Sequence, residues 1–182
     1  MTPTRIGTRE SVYENPYQRI DRVALEFDGF KKVLFVNEMG RRVELVISQR
    51  DSVLLVRQYR YLVNQLAWEL PGEKVDEGET PEQAAVREAL EETGLRCRTV
   101  QPLLYFHPGL DTHNNPSFLF SSEDFEESPR ENFHAQEVSE RVWIPIARCV
   151  EMIFASEIVD SLTIAALLAY HTRKHHPELT AS

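Results

Sequence analysis

The chain has 182 residues, a formal charge of −9 and two cysteines. That length suits one domain with a real core, and the negative balance argues against general nucleic-acid affinity. Cys97 and Cys149 form neither a CxxC pair nor a zinc pattern, and no run reaches the ~18 apolar residues of a membrane span or the apolar core of a signal peptide, so a cytoplasmic protein with no membrane partner and no disulfide is expected.

Residues 1–17 are polar, with Pro3 and Pro16, and read as a loose leader. Residues 20–27 and 32–36 alternate enough to be strands, with Asp28-Gly29 as the turn between them. Residues 43–48 and 53–59 read as a hairpin around Gln49-Arg50-Asp51. The run Val53-Leu54-Leu55-Val56 is continuous and apolar, as a buried central strand should be. Residues 67–70 make a short strand, 100–106 and 117–120 two more, and 141–144 another. Residues 121–136 are acidic and polar and read as a loop. Two helices close the chain, over about 147–154 and 160–175, the second opened by Asp160 or Ser161.

The most informative stretch is 72–95, GEKVDEGETPEQAAVREALEETGL. Thr80 can cap a helix, Pro81 suits its first position, Gln83 completes a capping box, and Gly94 is the natural stop. At about 100° per residue, Glu88, Glu91 and Glu92 share one face, and Val86, Ala89 and Leu90 share the other. Arg87 can pair with Glu91 four residues on. Three carboxylates on one face suit a hard cation with oxygen ligands, Mg²⁺ or Mn²⁺. Spacing alone equally describes a solvated acidic face.

The stretch resembles the Nudix box: a Gly, five residues, a Glu, seven residues, then R-E-U-x-E-E-x-G-U with U a bulky aliphatic. Here Glu79 is followed after seven residues by Arg87-Glu88-Ala89-Leu90-Glu91-Glu92-Thr93-Gly94-Leu95, with Ala89 the soft match. The first Gly of the pattern falls on Glu73, one residue after Gly72. Either Glu73 takes a strained backbone, or it adds a carboxylate near the metals. The resemblance implies an α/β (α+β) fold, a Nudix-type α/β/α sandwich with a mixed sheet and an N-terminal β region. It implies a metal-dependent hydrolase of the pyrophosphate bond in a nucleoside diphosphate joined to a second group.

Arg57-Gln58-Tyr59-Arg60 and Trp68-Glu69-Leu70-Pro71, with Pro108 beyond the box, resemble ADP-ribose pyrophosphatases. That implies ADP-ribose or a related nucleoside diphosphate sugar as substrate, giving AMP and a sugar phosphate. It also implies a homodimer, with residues 18–48 a β region exchanged between subunits and 49–182 the catalytic domain. GDP-mannose or another nucleotide sugar, NADH, and a non-catalytic nucleotide sensor are the alternatives. By resemblance, Glu88 and Glu92 are the first metal ligands, with Glu91 beside them and the Gly72 carbonyl contributing. Arg87 orients the glutamates, and Gly94 ends the helix. The general base is Glu137 or Glu140, just before the last strand, with Glu137 preferred. Arg57 and Arg60 could grip phosphate through their planar forks, and Trp68 or Tyr17 could stack on a base. His171, His175 and His176 sit in a polar tail helix and read as surface residues.

Overall fold

The computed structural model describes residues 1–128 and 138–180. The chain divides into two compact units, one of Met1–Arg41 with His107–Pro116, the other of Arg42–Phe106 with the chain from Ser117 onward.

In the first unit β1 (Arg5–Ile6) and β2 (Glu10–Glu14) pair antiparallel with β3 (Arg19–Phe27). β4 (Phe30–Glu38) is the hairpin partner of β3 across Asp28-Gly29, with Gly29 at φ 88°. The expected loose leader is thus partly strand. All five side chains of β2 are exposed, so its pairing rests on backbone bonds and leaves no apolar alternation to read. β4 turns Leu34 and Val36 to the face shared with Val23, and Val33 and Phe35 to the other.

In the second unit β5 (Arg42–Gln49) and β6 (Ser52–Arg60) form the expected hairpin, with Arg50 in the turn at φ 58°. β7 (Gln65–Glu69) pairs with β6 and leads into α1 (Pro81–Thr93). β8 (Leu95–Cys97) and β9 (Gln101–Phe106) follow. The chain returns to the first unit as β10 (His113–Asn114), parallel to β4. It then adds β11 (Ser117–Ser122), parallel to β5 and antiparallel to β9. Part of the expected acidic loop is strand: β12 (Phe125–Glu127) pairs with β8. β13 (Val138–Pro145) pairs with β6 and begins earlier than expected. α2 (Ile146–Phe154) and α3 (Ser161–His175) close the chain.

The sheet of the second unit runs β13-β6-β5-β11-β9, with β7 also on β6. It mixes one parallel pair with antiparallel ones, and helices cover both faces. Val43, Leu45, Ile47 and Leu54 meet Ala84, Ala85 and Ala89 of α1. Val46, Val53 and Leu55 meet Cys149, Met152, Ala166 and Leu167 of α2 and α3. The alternation along β5 and β6 feeds both layers at once, which is why these strands read as continuous apolar runs. The result is the expected α/β/α sandwich. Among the described residues, no helix is long and apolar enough to cross a membrane.

Candidate active site

α1 starts as its residues dictate. The Thr80 side chain accepts from Gln83 N–H, the Gln83 side chain accepts from Thr80 N–H, and Pro81 opens the first turn. Gly94 closes it at φ 71°, donating to Leu90 O at 2.9 Å. The buried face is carried by Ala84, Ala85, Glu88, Ala89 and Thr93. Val86 and Leu90, expected on that face, are only partly covered. Small alanines let the helix approach the sheet closely, and Glu88 is drawn in with them.

The strap of residues 71–73 runs along β5. Leu45 N–H donates to Pro71 O and Val43 N–H to Glu73 O, both at 3.0 Å. Gly72 sits between these bonds, so close that a Cβ there would lie 2.1 Å from Val43 O and 2.7 Å from Glu44 Cα. Glycine is therefore required at 72 by contact. Among the described residues only Arg50, Asn64 and Ser156 are non-glycines with positive φ, so the strain considered for Glu73 is not there. Glu73 instead pairs with Arg42 at 2.6 Å, and its charge bears on both Glu88 and Glu92.

Arg87 is the hub of the carboxylates. Its Nε and Nη2 donate to the two oxygens of Glu79, each at 3.0 Å. Its Nη1 donates to Glu88 Oε1 at 2.5 Å and to Glu91 Oε2 at 3.4 Å. Glu92 turns elsewhere. Gln58 Nε2 donates to its Oε1 at 2.8 Å, and Gly72 N–H to its Oε2 at 3.0 Å. Burial pushes the Glu92 carboxyl up to about 7, against the pull of those two donors. Burial also raises Glu88, with Arg87 opposing it. Among the described residues no three His, Cys, Asp or Glu side chains converge as a ready cation cage. Glu88 and Glu91 are held by Arg87, and Glu92 by Gln58 and Gly72, so the helix brings the three acids to one region while their oxygens point to different partners.

Alternation along β6 separates the two arginines. Gln58 and Arg60 share one face, and Arg57 takes the other. Arg60 grips Glu69 through Nε at 2.8 Å and Nη2 at 2.5 Å, and burial of Glu69 strengthens that hold. Arg57 lies over the Trp68 ring, 4.9 Å from its centroid, and its Nε is buried without a hydrogen-bond partner among the described residues. Glu140 lies inside β13 as the register partner of Arg57, 3.6 Å from its guanidinium. Glu137 falls outside the described residues. Tyr17 is exposed, and the His171 and His175 rings meet at a tilt of 51°, with centroids 4.4 Å apart, near the end of α3.

Three residues of this region lie outside the set of site residues expected from the sequence. Gln58 and Glu69 belong to the resembling stretches but were not singled out as site residues. Glu44 is a lone acid in an apolar strand, fully enclosed and bonded by Thr163 Oγ1 at 3.2 Å. A charged residue inside the run Val43–Ile47 was the available clue.

A mixed sheet between helical layers, with an acidic helix laid beside a glycine strap, defines a hydrolase sandwich of the Nudix type. The NUDIX domain model matches residues 39–160, well over half of the chain, and the chain belongs to the Nudix family. It is 31% identical over 162 residues to the CMP-5'-(N-acetyl-N-hydroxy-3-aminopropyl)phosphonate hydrolase of Streptomyces rubellomurinus, across 87% of this chain and 77% of that protein. It is 29% identical over 155 residues to the ADP-ribose pyrophosphatase of Mycobacterium tuberculosis, across 84% of this chain and 75% of that one. The crystal structure of an ADP compounds hydrolase matches it with a TM-score of 0.82, covering 97% of each chain at 19% identity, a likeness of fold. The protein is a Nudix hydrolase that resembles the ADP-ribose pyrophosphatases.

Proposed function

We propose that this protein hydrolyses the pyrophosphate bond of ADP-ribose or a related nucleoside diphosphate sugar, releasing AMP and a sugar phosphate. The observation that carries the reading is the carboxylate helix itself: Glu88, Glu91 and Glu92 beside the Gly72 strap, two of them substantially buried. The donors are all oxygens, and burying two carboxylates costs free energy that a divalent cation would offset. Glu88, Glu92, Glu91 and the Gly72 carbonyl would hold Mg²⁺, with Mn²⁺ the other candidate. The metal, when bound, supplies charge neutralisation of phosphate oxygens and an acidified water.

The chain's own residues do the positioning. Arg87, anchored by Glu79, sets the side chains of Glu88 and Glu91. Gln58 and the Gly72 N–H aim Glu92. The Arg57 guanidinium, paired with Glu140 and held over the Trp68 ring, is the candidate grip for a phosphate oxygen. Arg60 presents its remaining N–H groups beside Glu69. Glu140, close to Arg57, or Glu137 on the segment before it, takes the proton from the attacking water. In the first unit, exposed Tyr13, Val33 and Phe35 support a homodimer formed through the N-terminal β region.

The names of the relatives bear on the substrate. CMP and ADP each carry a base with an exocyclic amine and a 5'-phosphoryl group that can be joined to a second unit. The test is a substrate panel with Mg²⁺: ADP-ribose, GDP-mannose, NADH and a CMP conjugate, with product identification. AMP and ribose 5-phosphate from ADP-ribose at the highest kcat/KM are expected. Negligible turnover of ADP-ribose beside rapid turnover of another nucleotide sugar would refute the substrate assignment.

A further inference from the structure

The histidines of α3 are on the surface, as expected, but two of them are arranged. His113 Nδ1 meets Thr112 Oγ1 at 2.8 Å, and His176 Nδ1 meets Glu178 Oε1 at 3.2 Å. His171 and His175 differ. Among the described residues neither ring has a hydrogen bond or an ion pair. The two rings meet instead, with centroids 4.4 Å apart and planes tilted by 51°. Each neutral imidazole keeps one nitrogen with a free lone pair.

The helix dictates this meeting. Residues four apart on α3 stand one turn above the other on the same face. The two cations between them are turned onto other parts of the fold. Arg173 donates to Pro102 O at 2.9 Å and to Ser121 Oγ. Lys174 donates to Arg50 O and to Asp51 Oδ1, both at 2.8 Å. Neither ammonium nor guanidinium therefore occupies the histidine pair. The pair spans the last turn of α3, where the carbonyl end of the helix favours positive charge. The Asp51 carboxylate also lies within electrostatic reach of His175.

The spacing of the rings selects a class of ion. A metal bound to an imidazole nitrogen at about 2.0–2.1 Å stands about 3.2 Å from the ring centre. Two ring centres 4.4 Å apart then subtend an angle of about 90° at the metal. That is the angle between neighbouring ligands of a square-planar or octahedral ion. A tetrahedral ion would need the centres about 5.2 Å apart. Tetragonal sites of nitrogen and oxygen suit Cu²⁺ or Ni²⁺, and the general order of affinity puts Cu²⁺ above both Ni²⁺ and Zn²⁺.

We propose that His171 and His175 form a two-nitrogen site for a divalent late transition-metal ion, Cu²⁺ before Ni²⁺ and Zn²⁺, on a different helix from the carboxylates of α1. Among the described residues no third side chain completes the set, so water takes the remaining positions. Hard Mg²⁺ prefers oxygen ligands, so the two helices select different ions. The site stands whether or not the protein hydrolyses ADP-ribose.

The test uses the full chain without an affinity tag. Cu²⁺ is titrated by calorimetry into wild type, His171→Gln, His175→Gln and the double variant, with His176→Gln as the neighbouring control. Glutamine is a good helix former, so α3 is kept. Each single change removes one arm of the chelate and should weaken binding by about tenfold or more. His176→Gln should bind as wild type does. The electron paramagnetic resonance spectrum of the wild-type complex should show splitting from two imidazole nitrogens. Ni²⁺ should raise the urea midpoint of wild type and leave that of the double variant unchanged, since it binds the folded helix. Equal Cu²⁺ affinity in wild type and the double variant overturns the proposal. A loss in His176→Gln as large as that in His175→Gln, or a copper spectrum with a single nitrogen, does so too.

Discussion

Gly72→Ala is the sharpest test of the strap. The new Cβ would stand 2.1 Å from Val43 O, where ordinary contact begins at 3.4 Å, so the strap must retreat from β5 by about 1.3 Å. That retreat breaks the bonds of Leu45 N–H to Pro71 O and Val43 N–H to Glu73 O. At about 0.5–1.5 kcal/mol net each, the loss is about 1–3 kcal/mol. For a chain of this size the melting temperature should fall by about 2–12 °C. Glu92 also loses the Gly72 N–H, so ADP-ribose turnover should fall further than stability predicts. Gly78→Ala is the control: it has φ +83° with nothing within 4 Å of the added Cβ, so it carries backbone strain of about 1 kcal/mol and no overlap. Thermal melting by circular dichroism and a chromatographic assay of AMP formation read the two effects. A Gly72→Ala protein that melts with wild type and turns over ADP-ribose normally would refute the packing argument.

Glu92→Gln should lower kcat by about two orders of magnitude or more with the far-ultraviolet spectrum intact; near-normal turnover would remove Glu92 from the metal assignment. Burial holds the Glu44 carboxyl well above its ordinary range, so the folded state keeps a proton that the unfolded state releases. Its contribution to stability is greatest below the unfolded pKa and declines as pH rises toward the folded one. Glu44→Gln should therefore lose less stability between pH 5 and pH 8 than wild type in parallel urea titrations, and an unchanged pH slope would contradict this. Burial pushes the Cys149 thiol up to about 12, and Cys97 is raised as well. At pH 8 an aromatic disulfide reagent should modify neither cysteine until denaturant unfolds the chain; rapid labelling of the native protein would show that one is accessible.

Much of α1 could be read in advance because its determinants are local. Thr80, Pro81, Gln83 and Gly94 act within one turn of themselves, and the β5–β6 hairpin likewise follows from its own apolar runs. The fold class followed from the box and the stretch before it. The site's wiring was harder to see because its partners are far apart. Glu92 is bonded by Gln58, 34 positions earlier, and Glu44 by Thr163, 119 positions later. No local rule places a glutamine on β6 beside a glutamate of α1. The offset between Glu73 and Gly72 was visible but its reason was not, because what demands glycine at 72 is the approach of Val43 O. β2 escaped notice for the opposite reason: its side chains contact solvent, so its sequence shows no period.

The bonds on Glu92 carry a kinetic meaning. α1 can coil on its own capping box, and the β5–β6 hairpin can close on its own turn. Glu92 is aimed only when helix, strap and β6 have docked together. Helical signal and hairpin pairing are early events on the timescale of folding, and long-range docking is late. Recovery of activity during refolding should trail recovery of helix, so the enzyme's own turnover becomes a clock for the last step of its assembly.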